Sequence, residues 1–111
     1  MWESASKEIR YRAFYNAQLT QLTLPDSVTE IGREAFYNSK LTNLTLSNSL
    51  TRIGISAFYN AQLKGRLIFP NSVTEIGRGA FLNSYLSAVV IPLNCRYYED
   101  SFPPECKVLW L

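Results

Sequence analysis

The sequence predicts a solenoid, mostly strand and loop, with about four full coils of 22–23 residues and a degenerate fifth as a cap. Three observations predict it. The string "VTEIGREAFYN" (28–38) returns as "LTRIGISAFYN" (50–60) and as "VTEIGRGAFLN" (73–83). Aligned on its Ala-Phe pair, with an earlier partial copy, the repeat places Phe14, Phe36, Phe58 and Phe81 at intervals of 22, 22 and 23 residues. Each interval also carries an alternating apolar phrase of the L-x-L kind. A period in the low twenties marks stacked coils, because one such unit cannot bury its apolar face alone. The division that follows is a single domain: an N-terminal extension over 1–8, repeats over 9–94 and a capping coil over 95–111.

Each coil opens on an L-x-x-L-x-L phrase: Leu19, Leu22, Leu24, then Leu41, Leu44, Leu46. The third copy reads Leu63, Leu67, Phe69, stretched by one residue in "KGR" (64–66), and the fourth reads Leu86, Val89, Ile91. Alternation puts the last two apolar residues of each phrase on one face of an extended strand. Parallel strands are therefore expected near 22–24, 44–46, 67–69 and 89–91, with Leu22, Leu44, Leu67 and Val89 buried one above another. Pro25, Pro70 and Pro92 end three of these strands, and Ser47 takes that place in the second, since proline cannot donate to a ladder. Asp26-Ser27, Asn48-Ser49 and Asn71-Ser72 then form turns. The return path buries Val28, Ile31, Ala35 and Phe36, with Ile9, Ile53 and Ile76 repeating the Ile place. Gly32, Gly54 and Gly77 follow it each time, which suggests a bend or an unusual backbone angle. In the last copy Cys95 takes the Val28 place, Tyr97 or Tyr98 the Ile place and Ser101-Phe102 the Ala-Phe place. "CKVLWL" (106–111) can close the stack as a final strand with Cys106, Leu109 and Leu111 inward.

Bulk properties exclude several functions. Eleven Lys and Arg against nine Asp and Glu leave a net charge of +2, which gives no reason to expect nucleic acid. There is no histidine, so the commonest general base and metal ligand are both missing. No apolar run is long enough to span a membrane, and "MWESASKEIR" lacks a signal-peptide core. No nucleophile–base pair, metal cluster or phosphate loop is present, so no catalytic, cofactor-binding or metal-binding residue is assigned and the chain reads as non-enzymatic. Half a coil between Cys95 and Cys106 places them on opposite sides of the core, beyond disulfide reach unless the last coil bends.

The phrase "LTQLTLPDSVTEIGREAFYNS" resembles the BspA-type leucine-rich repeat, L-x-x-L-x-L-P-x-S-V-T-x-I-G-x-x-A-F-x-x, in four copies and a decayed fifth over residues 9 to about 102. The I-G-x-x-A-F half distinguishes it from ordinary leucine-rich repeats. The resemblance implies an α/β-type leucine-rich repeat solenoid, right-handed, with a parallel sheet on its concave side. It also implies a surface or secreted, adhesin-like module that binds a protein, host matrix proteins included. The chain starts inside a repeat, as a C-terminal fragment or a very short member would. The alternative is a structural spacer or capping fragment, or a small intracellular scaffold if Met1 is the native start.

In a stack of coils, function is read down columns about 4.8 Å apart. The outward residues of the concave strands are Gln21 and Thr23, Asn43 and Thr45, Arg66 and Ile68. They form the first candidate protein-binding surface, although the same residue types also simply suit strands. Tyr15, Tyr37 and Tyr59 form the second, with a stacked structural ladder as the plainer reading. Asn16, Asn38, Asn60 and Asn83 could form a polar ladder for a ligand; the plainer reading is that each amide satisfies backbone groups in its turn. Glu8, Glu30, Arg52 and Glu75 read as a solvated charge ladder. Uncovered strand edges at the two ends invite self-association, burying Trp110 or Trp2.

Overall fold

The computed structural model describes residues 7–111. Trp2 and the expected cover over the first coil lie outside the described residues. Among the described residues nine short strands follow one another: β1 (Glu8–Ile9), β2 (Gln21–Thr23), β3 (Glu30–Ile31), β4 (Asn43–Thr45), β5 (Arg52–Ile53), β6 (Lys64–Ile68), β7 (Glu75–Ile76), β8 (Tyr85–Ile91) and β9 (Lys107–Trp110). All their ladders are parallel. Strands β1, β3, β5 and β7 build one wall from the Ile place. The L-x-L strands build a second wall in two pieces, β2–β4 and β6–β8–β9. Among the described residues there is no helix, and therefore none long and apolar enough to cross a membrane.

The I-G-x-x-A-F half needs no helix because its backbone groups bond from coil to coil. Phe14 N–H donates to Ala35 O at 2.7 Å, Phe36 to Ala57 O at 2.8 Å, Phe58 to Ala80 O at 2.7 Å and Phe81 to Ser101 O at 2.7 Å. These bonds satisfy turn amides that a lone coil would leave bare. They also set the spacing of the core. Phe14, Phe36, Phe58 and Phe81 stack with centroids 5.1 Å apart at each step, and Phe102 follows at 5.8 Å. Ile9, Ile31, Ile53 and Ile76 are buried beside them, as are Val28, Leu50 and Val73. The expected inward column is only partly buried. Leu67 and Val89 are covered, but Leu22 and Leu44 are half-buried. Leu22 sits on the outermost described strand of its wall, and Leu44 borders the place where that wall is interrupted.

The glycine column has a different cause from the one expected. Gly32, Gly54 and Gly77 are not in the left-handed region. Their N–H groups instead donate to Ile9 O, Ile31 O and Ile53 O at 2.6, 2.8 and 2.8 Å, drawing the coils together. A Cβ on Gly54 would lie 2.7 Å from Arg33 N and 2.8 Å from Gly32 C, so close backbone approach excludes a side chain. The left-handed positions are two others in each coil: Arg12, Glu34, Ser56 and Gly79 (φ 55, 57, 56 and 65°), then Asn16, Asn38, Asn60 and Asn83 (φ 60, 59, 62 and 64°). Asn recurs at the second because, after Gly, it tolerates this conformation best.

The last coil follows the repeat and then departs from it. Cys95 N–H donates to Pro92 O at 3.1 Å, as Val28 does to Pro25 O at 3.0 Å. The bridge between Glu75 and Arg96 gives Tyr97 the Ile place. Phe102 is buried, and the Ser101 hydroxyl donates to Gly77 O at 2.9 Å. The final strand is set one residue earlier than expected. Val108 pairs with Val89 and Trp110 with Ile91, so these take the inward register; Val108 is half-buried, but Trp110 is still 50% exposed, and Leu109 and Leu111 are 48% and 79% exposed. The cause is a shortened turn: Cys106 N–H closes onto Pro103 O at 3.0 Å. Both cysteines are free thiols. Burial, with the Glu75 charge adding, pushes the Cys95 thiol up to about 11, so it is protonated at neutral pH.

Candidate functional site

The interruption in the L-x-L wall has a local origin in the third repeat. Its extra residue lies where Gly65 adopts φ 77°, and there the β6–β8 register shifts: Gly65 pairs with Leu86 and Arg66 with Ala88, leaving Ser87 of β8 without a ladder partner. β6 then pairs with β8, and no ladder joins it to β4. The two coils are nevertheless pinned on both sides of the gap. Before it, Gln62 N–H donates to Leu41 O at 2.9 Å; after it, the Ser72 hydroxyl donates to Leu50 O at 2.5 Å and Thr74 N–H to Thr51 O at 2.8 Å. The wall therefore opens only in its middle, as a cleft of about 390 Å³. Leu44, Thr45 and Leu46 form one lip, and Arg66, Ile68 and Phe69 the other. Ile68 is 59% exposed there, a large apolar side chain held open beside a guanidinium.

Of the residues singled out in the sequence, this cleft brings together Thr45, Arg66 and Ile68. Asn43 is exposed on β4 but is not part of the lining. Gln21 and Thr23 pair with Asn43 and Thr45 one coil away. Leu46, Asn48, Phe69 and Pro70 also line the cleft and were not anticipated. Their pattern marks them as core and turn positions, and the available hint was the 23-residue interval.

The tyrosine column stands apart from the cleft. Tyr15, Tyr37 and Tyr59 stack at 5.1 and 5.0 Å with their faces against one another. The Arg12 guanidinium lies 4.7 Å from the Tyr15 ring centre and bonds Glu34 at 2.6 Å. Tyr37 is half-buried, and its phenol is pushed up by that burial, with Tyr59 and Tyr15 adding. The plainer reading, a structural stack, is what the rings form.

The asparagine column corrects an expectation. The amides bond one another instead of their own turns: Asn38 Nδ2 donates to Asn16 Oδ1 at 2.7 Å, Asn60 to Asn38 at 2.6 Å and Asn83 to Asn60 at 3.4 Å. This row edges a polar groove of about 380 Å³ that also takes in Gln62, Lys40 and Tyr85. A third opening, about 490 Å³, lies at the last coil against Tyr97, Phe102, Pro103 and Val108. On the Ile wall, Arg52 pairs with Glu75 at 3.4 Å in a solvated ladder. Among the described residues no three or more His, Cys, Asp or Glu converge.

Comparison with known proteins finds the same repeat. The model of the BspA type leucine rich repeat region (6 copies) matches residues 2–109. No curated protein matches the chain. A leucine-rich repeat protein from Eubacterium ventriosum ATCC 27560 is similar to it, with 29% identity over 82% of this chain and a TM-score of 0.71. A leucine-rich repeat protein of T. pallidum is similar at 26% identity over 93% of this chain, with a TM-score of 0.57. The chain spans 27% of the first of these proteins and 66% of the second.

Proposed function

Because the chain belongs to the BspA-type leucine-rich repeat family, a fold that serves as a protein-interaction module, we propose that the opened L-x-L wall is where another protein docks. The observation that carries this reading is the cleft between β4 and β6. Its two lips set the apolar side chains of Leu46, Ile68 and Phe69 close to Arg66. Binding energy at protein interfaces concentrates where a partner desolvates such side chains, and Arg is enriched there. The module works as a surface or secreted adhesin, with host matrix proteins as the first partners to try.

The test is surface plasmon resonance against a panel of extracellular matrix proteins. Ile68→Asp and Arg66→Ala are expected to weaken a partner found there by about 30-fold or more, since hot-spot truncations cost about 2 kcal/mol or more. Tyr59→Ala should leave that affinity within about threefold, a change under ~1 kcal/mol. The opposite pattern would transfer the site to the tyrosine column.

Self-association belongs to the same proposal. Among the described strands none covers the outer edge of β9, where Trp110 and Leu109 are exposed. Such edges template pairing with another chain. Light scattering is expected to show mass rising with concentration, and Trp110→Asp is expected to abolish the rise. A constant monomer mass at high concentration would dispose of the idea.

A further inference from the structure

We infer that the groove beside the asparagine ladder binds a linear acidic glycan. A primary amide has two N–H donors and two carbonyl lone pairs. In the ladder Asn38 and Asn60 each donate once to the coil before and accept once from the coil after. Each keeps one donor and one acceptor unused among the described residues. That mixed pattern repeats at the coil spacing, about 4.8 Å. Sugar hydroxyls also donate and accept, so a chain of sugar rings matches the row. A phosphate chain, which offers acceptors alone, does not. Gln62 adds a second exposed amide, which makes no side-chain hydrogen bond among the described residues.

Three side chains define the ligand further. Ser39 lies at the groove and is only 1% exposed, yet its Oγ has no hydrogen-bond partner. The equivalent Ser84 hydroxyl donates to Phe81 O at 2.8 Å, and the equivalent residues in the other two coils are Ala17 and Ala61. A buried hydroxyl without a partner is unfavourable, and because the Oγ itself is covered, a ligand oxygen at the groove floor relieves it when the Ser39 side chain turns toward the groove. Lys40 is the one charged side chain in the lining, and it forms no ion pair among the described residues. Its ammonium calls for a carboxylate on the sugar. Tyr85 lies at the Asn83 end and is 72% exposed, outside any ring stack among the described residues, so its face is open to the apolar side of a pyranose.

The experiment is calorimetric titration of the whole chain with a short oligogalacturonate, using its fully methyl-esterified form as the neutral counterpart. The oligogalacturonate is expected to bind and the neutral chain to bind at least about tenfold more weakly, the scale of one charge-assisted hydrogen bond. Lys40→Ala should remove that preference, and so should about 1 M salt, where screening acts within about 3 Å. Gln62→Ala and Tyr85→Ala, both at exposed positions, should each weaken binding severalfold. Ser39→Ala should weaken binding while leaving the melting temperature of the free chain unchanged or higher, because no hydrogen bond is lost. Ile68→Asp should leave glycan binding intact, which separates this site from the protein-docking cleft. Three results would overturn the inference: no saturable binding of oligogalacturonate, equal affinity for the neutral chain, or affinity unaffected by Lys40→Ala and Gln62→Ala.

Discussion

Phe58→Ala is expected to destabilise the fold by about 3–5 kcal/mol, the range for emptying a buried aromatic site. Phe58 is fully buried and lies between Phe36 and Phe81, 5.1 Å from each. The hole cannot close, because the coil spacing is held by backbone bonds on both sides: Phe36 N–H to Ala57 O and Phe58 N–H to Ala80 O. Urea unfolding measures the change as a lower midpoint at unchanged slope. Phe14, half-buried at the start of the stack, should lose clearly less when truncated. A loss below about 1 kcal/mol at Phe58 would contradict the core described here.

Gly54→Ala is expected to be as severe, at about 3 kcal/mol or more, although it adds a single methyl group. The new Cβ would meet Arg33 N at 2.7 Å, Gly32 C at 2.8 Å and Ile31 O at 3.0 Å. All three are backbone atoms of the preceding coil, so no rotamer change relieves the clash. The coils must part, stretching the 2.8 Å bond from Gly54 N–H to Ile31 O. Gly65 provides the comparison. It has a left-handed φ of 77°, but nothing lies within 4 Å of its would-be Cβ. Gly65→Ala should therefore cost only the left-handed penalty, roughly 1–2 kcal/mol. Equal costs at the two sites in the same urea assay would show that coil contact is not what keeps glycine at 54.

The coil register was legible because periodicity reports directly on burial. Ile31, Phe36 and Val28 recur where the core needs them, and one alignment locates every copy. What the pattern concealed was geometry between coils. A glycine chosen for close approach and one chosen for a left-handed turn are the same letter, and only packing separates Gly54 from Gly65. The final strand was misplaced by one residue because Pro103-Pro104 shortens its turn, and apolar spacing in "CKVLWL" fits two registers. The cleft was half legible. Thr45, Arg66 and Ile68 follow from strand alternation, and the inserted residue was visible. That the insertion would interrupt the ladder depends on how Gly65 bends the chain. The asparagine ladder was one of two readings of its column, outweighed because Asn in a turn suggests local backbone bonding, whereas here each amide bonds the amide of the coil before it.

That amide row has a direction. Every bond runs from Nδ2 of one coil to Oδ1 of the coil before it. The side-chain dipoles consequently add head to tail, as peptide dipoles do along a helix. The partial positive charge collects at Asn16, whose N–H groups have no ladder acceptor among the described residues, and the partial negative charge at Asn83, whose carbonyl has no ladder donor among them. The row is therefore electrically unlike at its two ends, even though its coils repeat. A coil with a non-amide residue at this position would divide the row into two shorter ones.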